Sequence, residues 1–404
     1  MQDTAEATAL PPATGVINRR ALIATAVLAF SQDAIYGFIY LSYMNHYLLG
    51  RLHSAGGLPG YTLALYGGTQ LLVNPFAGRV LDRTSPRLLF RLSVAAQGVG
   101  VALLLTLSSL PAFLAASVFM AIGSAAMWPL IYDTIARTQA RGVRSEVTGI
   151  LSLTGYLATG TGFAGGVLLA HLAYWRLAFV AVAVVVFAPL VLQPMHAFDP
   201  GEQHSEREHG PRSPVFQQLQ RVAFFGLIVF VDYAAITSLA AVYGPFARLT
   251  LGLSLPRTTF LLAPAGAAAL VMLMLSARLS RPGRRFAEMA VLYVMSAVGA
   301  FALALATNQW VVMAVAPVLA AGVGGIGPII AATMIDQGGE GDRGTVIGTL
   351  MSIEGVGGVV GPALSALVID LASPRWGIAF IGCLFAALAP LSLAAHWRNR
   401  RLAI

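Results

Sequence analysis

The chain has 404 residues, 57% of them hydrophobic and only 10% charged, with a mean hydropathy of +0.76. An ordinary soluble domain carries about a quarter charged residues, which excludes a cytosolic enzyme; at ~20 residues per span the length allows roughly ten to fourteen membrane helices. The formal charge of +8 rests on 25 basic residues, all arginine and placed at the ends of apolar runs, which is a topology signal rather than a nucleic-acid footprint.

Taken in chain order, the apolar runs divide at Gly, Pro and Arg clusters into twelve segments: 21–49, 58–81, 88–109, 111–136, 147–172, 175–195, 220–247, 256–279, 287–307, 310–334, 344–370 and 375–396. The polar start ending at Arg19 and Arg20, followed by an apolar run, has the form of a signal peptide. Eleven similar runs follow, however, so it is read as a retained first span. One long polar stretch, from about His196 to Gln218, separates six segments from six. The expected fold is therefore an all-α integral membrane protein of twelve transmembrane helices. Its parts are a tail at 1–20, a six-helix bundle at 21–195, a central loop at 196–219, a second bundle at 220–396 and a tail at 397–404. The single cysteine, Cys383, excludes an internal disulfide or a cysteine metal site, and its apolar run predicts that it is buried.

With the N-terminus in the cytoplasm, twenty arginines fall on the cytoplasmic turns and ends; only Arg51, Arg176, Arg248, Arg257 and Arg375 fall outside. Arginine resists translocation, so both termini are expected to be cytoplasmic. At an offset near 200, Ala178, Phe179, Ala188, Pro189 and Leu190 recur as Ala379, Phe380, Ala389, Pro390 and Leu391. Pro59 with Pro256, Pro129 with Pro328, Gly149 with Gly348 and Asp33 with Asp232 follow at similar offsets, an ordered series that predicts parallel six-helix repeats.

Ionisable residues deep in a span are costly and are functional candidates by default. Asp33 and Asp232 lie about twelve residues into their segments and Glu354 about ten, which at ~1.5 Å per residue puts all three near mid-membrane, where they could face one cavity. Asp33 shares a helical face with Tyr36, Gly37 and Tyr40, and Thr62, Tyr66, Gln70 and Asn74 form a polar stripe at four-residue spacing. With Met127, Trp128 and Tyr132 these residues would line a cleft suited to a flat or lipophilic molecule, neutral or cationic. Desolvation disfavours the charged form of a carboxyl group, so Asp33, Asp232 and Glu354 are candidate proton carriers; the alternative is a neutral carboxyl held by a hydrogen bond between helices. No arginine lies mid-span, which disfavours an anionic substrate. No phosphate-cradling loop, metal spacing or nucleophile motif is present, so no cofactor is expected and energy must come from a gradient.

Two turns carry a signature. Gly78, Arg79, Asp82, Arg83 and Arg87 follow the second segment; Arg278, Ser280, Arg281, Gly283, Arg284 and Arg285 follow the eighth. This resembles the loop signature of the major facilitator superfamily, whose pattern is Gly, three residues, Asp, Arg, one residue, Gly, then two basic residues. The first copy keeps Gly, Asp and Arg; the second keeps its basic residues and Gly283 but has Ser280 for the Asp. The resemblance covers essentially the whole chain and includes the Trp175–Arg176 pair mirrored by Arg375–Trp376. It implies a cytoplasmic latch of Gly78, Asp82, Arg83, Arg87, Arg281, Gly283, Arg284 and Arg285 that favours the outward-facing state. The glycines Gly155, Gly160, Gly162, Gly165 and Gly166, with Gly355, Gly357, Gly358, Gly361 and Pro362 in the eleventh segment, are similar in spacing to a glycine-rich helix of twelve-helix drug:proton antiporters. Here Thr161 and Gly162 stand where that signature has Gly-Pro, and a plain helix-packing role for Gly160, Gly165, Gly166, Gly361 and Pro362 is the alternative.

The expected function is proton-coupled export of a lipophilic or cationic small molecule by alternating access. The partners are that substrate, protons and the lipid bilayer, and the protein is expected to act as a monomer in a bacterial inner membrane. A proton symporter for a neutral metabolite and a lipid or lysolipid translocator remain open. A receptor or intramembrane enzyme is disfavoured by the repeat and by the lack of a catalytic constellation.

Overall fold

A computed structural model of the chain describes residues 17–83, 85–139, 144–171, 175–191, 215–337 and 343–402. The described residues contain no strand and form the helices α1 (Arg19–Tyr36), α2 (Leu58–Arg83), α3 (Pro86–Thr106), α4 (Leu110–Thr138), α5 (Arg144–His171), α6 (Trp175–Val191), α7 (Val215–Pro245), α8 (Leu255–Leu279), α9 (Arg285–Ala304), α10 (Gln309–Gln337), α11 (Arg343–Leu371) and α12 (Pro374–Leu402). α7 begins at Val215, inside the stretch read from sequence as central loop.

Local chemistry sets several boundaries. Asn18 caps α1 by accepting from the Ala21 N–H; Ser85 and Ser109 cap α3 and α4 in the same way, each followed closely by a proline that fits a helix first turn. α1 and α7 both extend beyond their α-helical parts in π-helical turns, at Gly37–Tyr43 and His46–Arg51 in the first and Phe246–Thr250 in the second. Hydrophobic periodicity gives no sign of these turns. They widen the helix and re-aim its side chains, and such segments often mark functional positions.

Among the described residues, nine helical stretches are long and apolar enough to cross a membrane, and two shorter apolar ones lie at Arg176–Val191 and Phe260–Ser276. α2 falls in neither group, because Thr62, Tyr66, Gln70 and Asn74 dilute its apolar surface. Large apolar side chains such as Leu72, Val184, Val291 and Leu371 are exposed, as a surface solvated by lipid requires. Cys383 is exposed on α12, because the side of a lipid-facing helix turned from the bundle needs apolar residues too.

Side chains of α1–α6 form one buried core and those of α7–α12 another; Ala241 of α7 joins the first. Glycines bring pairs of helices into backbone contact in both halves. In the first, Gly155 lies against Asp33, Gly162 faces the Ala34 carbonyl, and Gly166 packs on Phe38 and Ser42, so α1 and α5 run side by side in parallel. In the second, Gly357 and Gly361 meet the carbonyls of Phe230 and Ala234, placing α11 against α7 in the same way. Small residues allow this closeness where hydrocarbon supplies no hydrophobic drive.

The halves meet chiefly along α2 and α11, which run antiparallel. Gly57 lies against Asp370, Gly60 against Pro362 and Ala366, Gly67 against Gly358, and Leu71 against Gly355. These contacts run from the end remote from Asn18 to about mid-length. At the remote end Asn45 also packs on Gly244, and Arg248 on Gly50. That end is sealed.

Candidate functional site

The first half contributes an aromatic wall. Tyr36 and Tyr40 on α1 meet Tyr66 on α2, with ring centroids 6.0 and 4.3 Å from it. Gln70, one turn beyond Tyr66, donates to the Tyr66 hydroxyl at 3.2 Å and to Ser124 of α4 at 3.0 Å, tying α2 to α4. Trp128 and Tyr132 stack on α4 at 6.0 Å. Asp33 is half-buried, and its carboxylate rests so closely on Gly155 of α5 that a β-carbon there would collide with it. Glycine at this position holds the space for the acid.

The second half supplies Glu354 of α11 and Tyr233 of α7, both half-buried. Tyr233 lies within electrostatic range of Glu354, Asp33, Tyr36 and Tyr66. Tyr132 and Tyr156, both on first-half helices, lie within electrostatic range of Glu354 and Asp33 alike, and Tyr156 of Asp232 as well. Two carboxyl groups from opposite halves therefore share one cleft with a set of phenols. Tyr132 and Tyr156 reach both halves yet remain 42% and 47% exposed, so the cleft is open at their level. Tyr132 stands near the end of α4 that Gln139 ties to Asn18, and the opening faces that end.

Sequence reasoning put Asp232 in the same cavity; the structure keeps it within electrostatic range of Glu354 and Tyr156 but buries it more deeply. Asp232 is 5% exposed and turned toward Tyr293 of α9. The two groups are neighbours without hydrogen-bonding geometry, and Asp232 Oδ1 and the Tyr293 hydroxyl are both buried without a hydrogen-bond partner. The equal spacing of Asp33 and Asp232 within the repeat concealed this difference. The counterpart of Gly155 at the same offset of 199 is Glu354, so the second half carries its cleft-facing acid on α11 instead of α7.

Several other expected residues behave differently from one another. Tyr40 is fully buried behind Tyr66 and forms a second layer rather than a cleft surface, while Asn74 is exposed. Gly165 and Gly166 pack on Phe38, and Gly166 also on Ser42, whereas Gly160 has nothing within 4 Å of where a side chain would begin and takes no part in packing. Gly361 joins α11 to α7, and Pro362 presents its carbonyl to Gly60 of the other half. The side chains of Asp82 and Arg83, and the surroundings of Gly78, lie outside what the structure describes. Arg87 is half-buried, Arg281, Gly283 and Arg284 are exposed, and Arg285 donates to the Ala332 carbonyl of α10 in its own half at 3.0 Å. Tyr156, Tyr233 and Tyr293 were missed; the adjacency of Tyr156 to Gly155 and of Tyr233 to Asp232 was the available signal.

Chemically, two acids with no cationic partner among the described residues can take up protons or pair with a cation, and tyrosine faces attract a cation as well. Every arginine of the described helices stands within about two turns of a helix end. Among the described residues no group of three or more His, Cys, Asp or Glu could hold a metal ion.

The sequence model of the Major Facilitator Superfamily matches residues 21–348 and 281–403. A relative, multidrug resistance protein 2 of Bacillus subtilis strain 168, is 22% identical over 375 residues, covering 87% of this chain and 88% of its own length. Among solved structures, the human organic anion transporter MFSD10 (TETRAN) is similar with a TM-score of 0.65 at 16% identity, covering 93% of this chain and 99% of its own. A POT family transporter in complex with 5-aminolevulinic acid gives 0.73 at 10% identity over 93% and 95%. The nucleoside transporter NupG gives 0.65 at 13% over 94% and 98%. At these identities the structural likeness is one of fold.

Proposed function

The chain belongs to the major facilitator superfamily, and from that premise we propose that this multi-pass membrane transporter couples proton uptake to export of a lipophilic or cationic small molecule. The observation that carries the reading is the shared cleft: Asp33 from one half and Glu354 from the other, walled by Tyr36, Tyr66, Tyr132, Tyr156 and Tyr233, with no arginine mid-helix. Protons on the acids and a cationic or polarisable substrate then compete for one site, and rocking of the halves exposes it to each side in turn. The nearness in sequence of a multidrug-named relative agrees with export.

In this reading twelve spans form two six-helix bundles at 21–195 and 220–396, with both termini in the cytoplasm of a bacterial inner membrane, and one chain suffices. The arginine-rich end is then cytoplasmic and the state described is inward-facing. Asp82, with Arg83, Arg87 and the turn at Arg281–Arg285, latches the opposite state, so Asp82→Asn biases the carrier toward the inward-facing one. Asp232, sealed beside Tyr293, takes part as an occluded carboxyl within electrostatic range of Glu354.

A second reading, a lipid translocator, is favoured by one observation: an apolar groove of about 170 Å³ between α1, α5 and α6, lined by Phe30, Ile35, Phe38 and Val185 among others. Purified protein in liposomes containing a pH-sensitive dye separates the readings when cationic, neutral and lipid-like compounds are added under an imposed proton gradient. The expected result is proton movement dependent on lipophilic cations and lost in Asp33→Asn and Glu354→Gln. Lipid flux without proton movement would replace the first reading with the second.

A further inference from the structure

At the sealed end, α2 starts against the end of α11. The Gly57 N–H, just before the first residue of α2, donates to Asp370 Oδ1 at 2.9 Å across the two halves of the molecule. Gly57 is buried, and a side chain there would occupy the position of the Asp370 carboxylate. One turn on, the Tyr61 phenol lies beside the same carboxylate. An anion at the start of a 26-residue helix is also favoured by the helix dipole and by the unpaired amides of its first turn. Below this contact the seam is apolar and small: Gly60 on Ala366 and Ala241, and Gly56 on Leu249 and Ile369. Asp370 is thus the polar side-chain clasp between the start of α2 and the end of α11, and no motif of the sequence marked it.

We propose that the Asp370 carboxylate, seated on the first turn of α2, is the latch that holds the end remote from the termini shut in this state. Its exposure to water fits reversible use. When the seam opens, both the carboxylate and the amide rehydrate, and neither is left buried without a partner. The latch joins the α2–α11 pair at the end opposite Asp82. It rests on the fold and the hydrogen bond alone, independently of substrate or protons.

The test uses the full chain in nanodiscs, with Cys383→Ser to remove the native thiol and Ala241→Cys as reporter, since Ala241 is fully buried under Gly60 in the seam. Labelling by a water-soluble maleimide is expected to accelerate about three- to tenfold in Asp370→Ala. That range matches loss of one ordinary hydrogen bond plus its dipole contribution, and Asp370→Asn, which keeps an acceptor oxygen, is expected between. Gly57→Leu, which displaces the carboxylate by bulk, is expected to accelerate labelling as well. Acceleration in Gly57→Leu but not in Asp370→Ala would overturn the proposal, because apolar packing alone would then hold the seam. Should the reporter variant fold poorly, hydrogen exchange of residues 52–63 in the Asp370→Ala chain gives the same reading: faster exchange supports the latch, and unchanged exchange overturns it.

Discussion

At the scale of single residues, the site depends on space as much as on charge. Asp33 reaches the cleft because Gly155 offers no side chain beneath it, and the repeat-related position holds Glu354 itself. Gly155→Leu is therefore expected to push the Asp33 carboxylate aside and cut proton-coupled flux at least as far as Asp33→Asn does, with the protein still monodisperse. Flux assays beside size-exclusion profiles check this, and wild-type flux would mean that the carboxylate position is not critical. The acids were legible in the sequence because charge deep in an apolar run is costly. Their directions were not: Asp33 and Asp232 sit alike in the repeat, yet one faces the cleft and the other Tyr293, and only the packed neighbours on α5 and α9 decide that.

At the scale of helices, the parallel pairs α1–α5 and α7–α11 are held by backbone contact at Gly162 and Gly361. Overpacking such a contact costs about 1–3 kcal/mol. Gly162→Leu and Gly361→Leu are expected to lower the thermal midpoint by several degrees, whereas Gly160→Leu, in open space, is expected to leave it in place; thermal melts in detergent distinguish them. Equal loss in all three would show that glycine content rather than contact matters. The glycine richness of both helices was readable, but the contacting positions were not, because α1 and α7 have no simple hydrophobic stripe to give their rotation. Helix existence was legible nearly throughout from the apolar runs. The π-helical ends of α1 and α7 were not, since hydrophobic periodicity carries no signal for them.

For the whole molecule, two cores, an antiparallel seam closed at one end and a cleft open toward the other describe a transporter of the superfamily. The offset repeat agrees with the two separate buried cores of α1–α6 and α7–α12. Which end is closed was invisible in the sequence, because the seam is built from contacts between α2 and α11 about 300 residues apart. The central claim is that Asp33 and Glu354 exchange protons for substrate in the cleft between the halves. Proton release on binding measures it most directly: a lipophilic cation is titrated into purified protein in weakly buffered solution, with a pH indicator following the release. The account predicts release that accompanies binding in the wild type and is reduced in both Asp33→Asn and Glu354→Gln. Binding of the cation with no proton released, or with release unchanged in both variants, would contradict it.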